Sequence, residues 1–189
     1  MSRIIAGLAG SIRLAPAPSG TRPSSDRLKE SLFSQLENLG AIEGANVLDL
    51  FAGTGALGLE ALSRGAKSLV GIDSNRAAVQ VCLRNASKVC NVLAQYGQIP
   101  RVKFFVSDAS RYVRTTPEMF DLILLDPPYS LPAERISALI SLSLASAAAH
   151  GHIVTECASK SRLDTPNGMT LIDTRSFGDS KTIIWQRSS

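Results

Sequence analysis

The sequence predicts an α/β fold, a seven-stranded and mostly parallel sheet covered by helices and finished by an antiparallel hairpin, with a small N-terminal β-hairpin in front. Three observations carry this. Short apolar runs alternate with stretches of helical periodicity along the 189 residues, the pattern of a parallel sheet buried on both faces. The run Val47 to Phe51 leads into glycines at 53, 55 and 58, the strand–turn–helix context that a nucleotide-binding turn requires. The run Phe120 to Leu125 ends in Asp126-Pro127-Pro128-Tyr129, which places a stiff turn at the carboxyl edge of the sheet, where ligands bind in open α/β folds.

Each element has its own signal. Residues 1–22 read as a hairpin, Arg3–Ala6 against Ser11–Leu14, with a glycine-containing turn and a Pro/Gly/Ser connector from Ala15 to Gly20. They stand apart from the domain at 23–189. Arg3, Arg13, Arg22, Arg27 and Lys29 make this end locally basic, which suits a solvated flap as well as an RNA-contacting one. Ser24 or Ser25 is the expected N-cap of a first helix, with Leu28, Leu32, Phe33, Leu36 and Leu39 on one face and Gly40 as its end. Ser68–Asp73 is the second strand, Arg76–Asn91 a helix, residues 91–101 a loop and Val102–Val106 the third strand. Phe120–Leu125 is the fourth strand. A long Ala/Ser/Leu helix follows from Ala133 to Ala149, then a fifth strand at Ile153–Glu156. Met169–Asp173 and Thr182–Gln186 are too close for a helix between them, so they pair antiparallel around Phe177-Gly178-Asp179.

Composition narrows the function. Hydrophobic content of 44% fits a globular domain. No apolar run approaches the length of a membrane span, and the opening Met1–Gly7 is too short for a signal peptide; a cytoplasmic protein is expected. Cys82, Cys90 and Cys157 are odd in number and lack C-x-x-C spacing, which argues against a disulfide framework or a zinc site. His150 and His152 have no metal set around them. A net charge of +4 permits a polyanionic partner without demanding one.

The glycine turn admits three readings: a tight turn without ligand, a dinucleotide site, or an S-adenosylmethionine site. Asp49 separates the last two. A carboxylate facing the turn repels a pyrophosphate and suits the ammonium of a methionine moiety. Asp73 lies about twenty residues past the first glycine, the spacing of a ribose-binding acid, and also suits an N-cap for the next helix. Asp108 is either a cap or a neighbour of the adenine.

At Asp126–Tyr129 the prolines have no N–H groups, so the turn presents acceptors. The Asp126 carboxylate and Pro127 carbonyl would hold the hydrogens of a planar NH2 group, with Tyr129 stacked on a base that has left its helix. The same acceptors serve a nucleobase or a glutamine amide.

The residues Asp49–Ala66 together with Asp126–Tyr129 resemble the bacterial RsmD family of 16S ribosomal RNA guanine-N2 methyltransferases. Arg3–Gly7 and Thr21–Arg27 match that family's N-terminal signature, and the resemblance runs on to Gly178-Asp179. It implies a class I, Rossmann-like methyltransferase fold, S-adenosylmethionine as cofactor with S-adenosylhomocysteine as product, no metal, and methylation of guanine 966. The implied substrate is 16S rRNA in an assembled or assembling 30S subunit, met by a monomer with ribosomal protein contacts. By matching positions Asp49, Gly53, Gly55, Asp73 and Asp108 go to the cofactor, with Phe51, Ala52, Thr54, Ser74, Ala109 and Asp126 beside them. Asp126, Pro127 and Tyr129 become catalytic, and Pro128, Tyr129, Arg3, Arg13 and Arg22 face RNA. One departure stands out: the family's hairpin turn is often rich in Lys and Arg, whereas here it is Gly7-Leu8-Ala9-Gly10-Ser11-Ile12. Phosphate contacts then fall to the three arginines. Other readings are a DNA adenine-N6 or protein glutamine-N5 methyltransferase, a catalytically silent RNA-binding module, and a nicotinamide dehydrogenase.

Overall fold

A computed structural model describes residues 2–16 and 26–188. Helix α1 spans Asp26–Asn38, β1 Asn46–Asp49, α2 Ala56–Ser63, β2 Ser68–Asp73, α3 Arg76–Gln95, β3 Arg101–Val106 and α4 Ala109–Thr115. Then come β4 Phe120–Leu125, α5 Ala133–Ser143, a 3-10 turn Leu144–Ser146, β5 Ala147–Ala158, β6 Met169–Phe177 and β7 Ser180–Arg187. The seven strands form one sheet in the order β3-β2-β1-β4-β5-β7-β6. β1 to β5 run parallel to their neighbours, and β7 is antiparallel to both β5 and β6.

Successive strand residues point to opposite faces, and the two faces bury different helices. Val47, Leu69, Leu122 and Leu124 join Phe33 of α1, Leu59 of α2 and Val89 of α3. Leu48, Val70, Ile123 and Leu125 join Val113 of α4, Ile140 of α5 and Trp185 of β7. This is why the strand runs are continuous rather than alternating: both faces are dry.

Several boundaries differ from expectation, each for a non-local reason. The helix expected over 133–149 stops at Ser143, and Ala147 already belongs to β5. Its alanines favour helix locally, but Ala147 is buried opposite Phe120. The pairing then shifts register before Leu122 meets His152, with His150 at φ 60 in between. Helix α3 runs to Gln95 because Leu93, one turn beyond Val89, continues its buried stripe. β1 ends at Asp49 although Phe51 was read into it, and β6 and β7 are longer than the runs that announced them.

The N-terminal pairing is reduced to a single bridge, Arg3 to Arg13, flanked by Ile4 N–H to the Ile12 carbonyl at 3.0 Å and Leu14 N–H to the Ser2 carbonyl at 3.0 Å. Its docking is tight. Ile4, Ala9 and Leu14 are buried in the core of the first face. The fully buried Glu60 carboxylate of α2 accepts the N–H groups of Ile5 at 2.6 Å and Ala6 at 3.0 Å, and pairs with Arg64 at 2.8 Å. Lys29 does not face solvent: it is buried and donates to the Arg3 carbonyl at 2.7 Å. The expected caps Ser24 and Ser25 lie outside the described residues.

Glu60→Ala leaves two half-buried N–H groups and the buried Arg64 guanidinium without their shared acceptor. It should lower unfolding stability by about 3–5 kcal/mol, read as a lower urea midpoint with an unchanged slope.

Candidate functional site

The carboxyl edge of the parallel strands carries one acid per strand. In spatial order these are Asp73 at the end of β2, Asp49 at the end of β1, Asp126 just past β4, and Glu156 near the end of β5. The strand order reverses between β1 and β4, the switch point at which open α/β sheets leave a crevice.

The turn between β1 and α2 is built by its neighbours. Asp73 Oδ2 accepts Gly53 N–H at 2.9 Å, and Ala52 N–H reaches the Ile72 carbonyl at 2.9 Å, so the turn hangs from the end of β2. Asp73 Oδ1 accepts Asn75 N–H at 2.8 Å. Asp73 is therefore not the helix cap: Asn75 caps α3, its side chain accepting Ala77 N–H at 2.8 Å. Ser74 lies between them, next to the turn only through Asp73. Two residues that sequence reasoning left without a role complete the support. Cys82 of α3 donates to the Gly53 carbonyl at 3.3 Å, and Asn85 donates to the Thr54 carbonyl at 2.9 Å. Asn85 also exchanges hydrogen bonds with Ala15, accepting its N–H at 2.8 Å. It thus joins the N-terminal segment to the glycine turn.

Gly55 takes φ +79, a left-handed conformation, immediately before α2. Gly58 is needed for space: a Cβ there would stand 2.5 Å from a Leu69 methyl and 3.2 Å from Asp49 Oδ2. Its N–H donates to that same oxygen at 3.1 Å. Asp49 Oδ1 is buried and has no hydrogen-bond partner. Burial pushes the Asp49 pKa up to about 7, opposed by the Gly58 N–H and more weakly by the Phe51 N–H, which does not reach hydrogen-bond geometry with Oδ1. A buried carboxylate oxygen that lacks a donor fits a ligand that brings one, and a cationic amine supplies both proton and charge.

On the far side of this turn, Asp108 caps α4 by accepting Arg111 N–H at 2.9 Å. Ala109 is buried behind it and Phe51 is half-buried at the turn.

Across the switch point, Pro127 is buried while Pro128 and Tyr129 are exposed. The Pro128 carbonyl accepts Leu131 N–H at 2.8 Å, which closes the turn. Tyr129 does not float free as a stacking ring. Its hydroxyl donates to Glu156 Oε1 at 3.2 Å and contacts the Ser180 hydroxyl at the start of β7. Partial burial raises its pKa, and the negative charges of Glu156 and Asp126 act in the same direction. Two carboxylates therefore flank one phenol. Glu156 and Ser180 had no role in the sequence reading. An acid closing the run Ile153-Val154-Thr155 is the same signal that Asp49, Asp73 and Asp126 gave.

Two of the arginines expected at RNA, Arg3 and Arg13, face each other across the N-terminal bridge. Arg3 pairs with Asp26 at 3.0 Å, Arg13 is exposed opposite it, and Arg22 falls outside the described residues. Among the described residues there is no His/Cys/Asp/Glu group that could hold a metal ion. No described helix is long and apolar enough to cross a membrane. A cavity of about 410 Å³ lined by Asp121, His150, His152 and Gln186 opens at the opposite edge of the sheet. Asp121 is already bonded there to Asn46 at 2.8 Å, and burial lowers the His152 pKa. The convergent acceptors are not at that edge.

Comparison with known proteins agrees with this geometry. The family described as conserved hypothetical protein 95 matches residues 2–186. The Haemophilus influenzae protein named ribosomal RNA small subunit methyltransferase D is 32% identical over 179 residues, 93% of this chain and 89% of that one. The Bacillus subtilis protein YlbH is 35% identical over 131 residues, 68% of this chain; the match spans 65% of YlbH. A solved Escherichia coli structure, yhhF, superposes with a TM-score of 0.79 at 31% identity and covers 98% of this chain and 97% of its own. The fold is that of the class I, Rossmann-like methyltransferases.

Asp49 sets a pH dependence of stability. With a folded pKa near 7 against an ordinary 3.8, the folded protein binds an extra proton between those values. Its contribution is present below pH 4 and is lost as pH rises towards 7, to the extent of about 4 kcal/mol. Asp49→Asn should flatten that part of the curve, measured by urea unfolding of the ligand-free protein at each pH.

Proposed function

The chain belongs to the conserved hypothetical protein 95 family, the RsmD family, and from that premise we propose that it methylates the exocyclic N2 of a guanine in 16S rRNA, using S-adenosylmethionine. The observation that carries the reading is the pairing of two acceptor sites across one switch point. On one side is the glycine turn with the partnerless Asp49 oxygen; on the other is the acceptor turn Asp126–Tyr129. The relative named as a small subunit rRNA methyltransferase supports the substrate class. Guanine 966 within an assembled or assembling 30S subunit is the target we assign.

The residues divide the work. Asp49 meets the ammonium of the methionine moiety, and Gly53 and Gly55 let the backbone approach it. Asp73 lies at the ribose hydroxyls and Asp108 with Ala109 at the adenine. The cofactor supplies an activated methyl group as its sulfonium. A guanine NH2 is a poor nucleophile because its lone pair is delocalised into the ring. Asp126 and the Pro127 carbonyl accept its two hydrogens, which favours a pyramidal nitrogen with the lone pair directed outward. Asp126 then takes the proton that the methylated nitrogen sheds and passes it to solvent. Tyr129 must release Glu156 and Ser180 if its ring is to stack on the base. Catalysis on this scheme is positioning and electrostatics, and it needs no covalent enzyme intermediate. Arg3, Arg13 and Arg22 supply phosphate contacts. We assign residues 1–22 as the RNA-contacting part, on the methyltransferase domain 23–189.

The test is methyl transfer from labelled S-adenosylmethionine to 30S subunits from cells lacking the gene, with naked 16S rRNA and duplex DNA alongside, followed by nucleoside analysis. N2-methylguanosine on the particle is expected; N6-methyladenine in the DNA, or label on a protein glutamine, would replace the reading. Asp126→Ala should lower kcat at least about 100-fold with cofactor binding retained. Asp49 should also make cofactor affinity pH-dependent. An ammonium ligand binds its ionised form, so S-adenosylhomocysteine should bind more tightly as pH rises through about 7, and Asp49→Asn should bind weakly at every pH in a calorimetric titration.

A further inference from the structure

Glu156 is 6% exposed and has no part in the scheme above, yet it stands beside the reacting position. β4 and β5 are parallel and in register, Leu124 opposite Val154 and Leu125 opposite Thr155. The next residues on the two chains are Asp126 and Glu156. Neighbouring strands lie about 4.8 Å apart, so the two carboxylates sit side by side at the sheet edge. The Tyr129 hydroxyl at 3.2 Å from Glu156 Oε1 shows that a donor carried on an aromatic ring reaches this carboxylate from the Asp126–Tyr129 side.

Two adjacent acceptors read a specific edge. Guanine presents N1–H next to its N2 amino group, donor beside donor. Adenine presents its amino group beside N1, and cytosine beside N3; both ring nitrogens carry a lone pair. A carboxylate next to the one that holds the amino group therefore meets a proton only in guanine. In adenine or cytosine it meets a lone pair, which leaves a buried charge facing an acceptor. A glutamine side-chain amide offers its carbonyl there and fails in the same way.

We infer that Glu156 is the specificity-determining residue of this site: it accepts guanine N1–H in the place where Tyr129 now donates, while Asp126 and Pro127 hold the N2 amino group. The inference rests on the proposed function and adds to it a reason for the base. Ser180, on the other side of the Tyr129 hydroxyl, is a positioning residue for the resting ring.

The experiment uses the full-length protein and 30S subunits reconstituted with 16S rRNA carrying either guanine or 1-methylguanine at the target position. Wild-type protein on the unmodified particle reports on the functional reading alone; no N2-methylguanosine there overturns that reading and the inference with it. Given that activity, 1-methylguanine should lower kcat/KM at least about 100-fold with the wild type. Glu156→Gln should lower kcat/KM on guanine roughly 10- to 100-fold with S-adenosylhomocysteine affinity unchanged, and Glu156→Ala should methylate the two bases within about threefold of each other. Equal transfer by the wild type to guanine and 1-methylguanine, or a preference for guanine that survives Glu156→Ala, overturns the inference while leaving the functional reading intact.

Discussion

The contact on which the site depends is the one between Asp49 and Gly58. The carboxylate at the end of β1 accepts a backbone N–H from the first turn of α2, and the helix can come that close only because residue 58 has no side chain. That approach draws the whole glycine turn over the sheet edge, where Asp73, Cys82 and Asn85 fasten it. It also leaves the other Asp49 oxygen buried without a donor. A single crowded contact thus shapes the proposed cofactor crevice and leaves an electrostatic need that a cationic ligand would answer.

The parts legible in the sequence are those whose cause is local. β2 and β4 fall where continuous apolar runs place them, since both sheet faces are covered. The glycine spacing announces itself because Gly53 and Gly55 take positive φ and Gly58 leaves room for Leu69, and the Pro-Pro turn because two prolines stiffen the backbone. What stayed hidden was decided at a distance. Ala147 reads as helix until Phe120 pairs with it. Asp73 reads as a cap until Gly53, twenty residues away, claims its carboxylate, and the cap passes to Asn75. Glu156 and Ser180 acquire meaning only when Tyr129 crosses to them from another strand end.

The N-terminal segment shows the same distinction. Its basic residues suggest a surface element, but the structure gives it two roles. Ile4 and Leu14 help fill the core, and Ala15 is bound through Asn85 to the carbonyl of Thr54 in the glycine turn. A buried amide with all these bonds holds both partners in one arrangement. The segment proposed to touch RNA and the turn proposed to hold the cofactor are therefore joined through one buried side chain.

The docking of Ile5, Ala6 and Ala9 onto Glu60 and Ser63 also governs how the chain is made. Those bonds span 54 or 55 residues, so during synthesis this segment has nothing to rest on until α2 has followed it. At roughly 5–20 residues per second that is a wait of several seconds, during which Ile4 and Leu14 are uncovered. Docked on α2 and its neighbours, the segment acts as a seal on the folded domain rather than a seed for it.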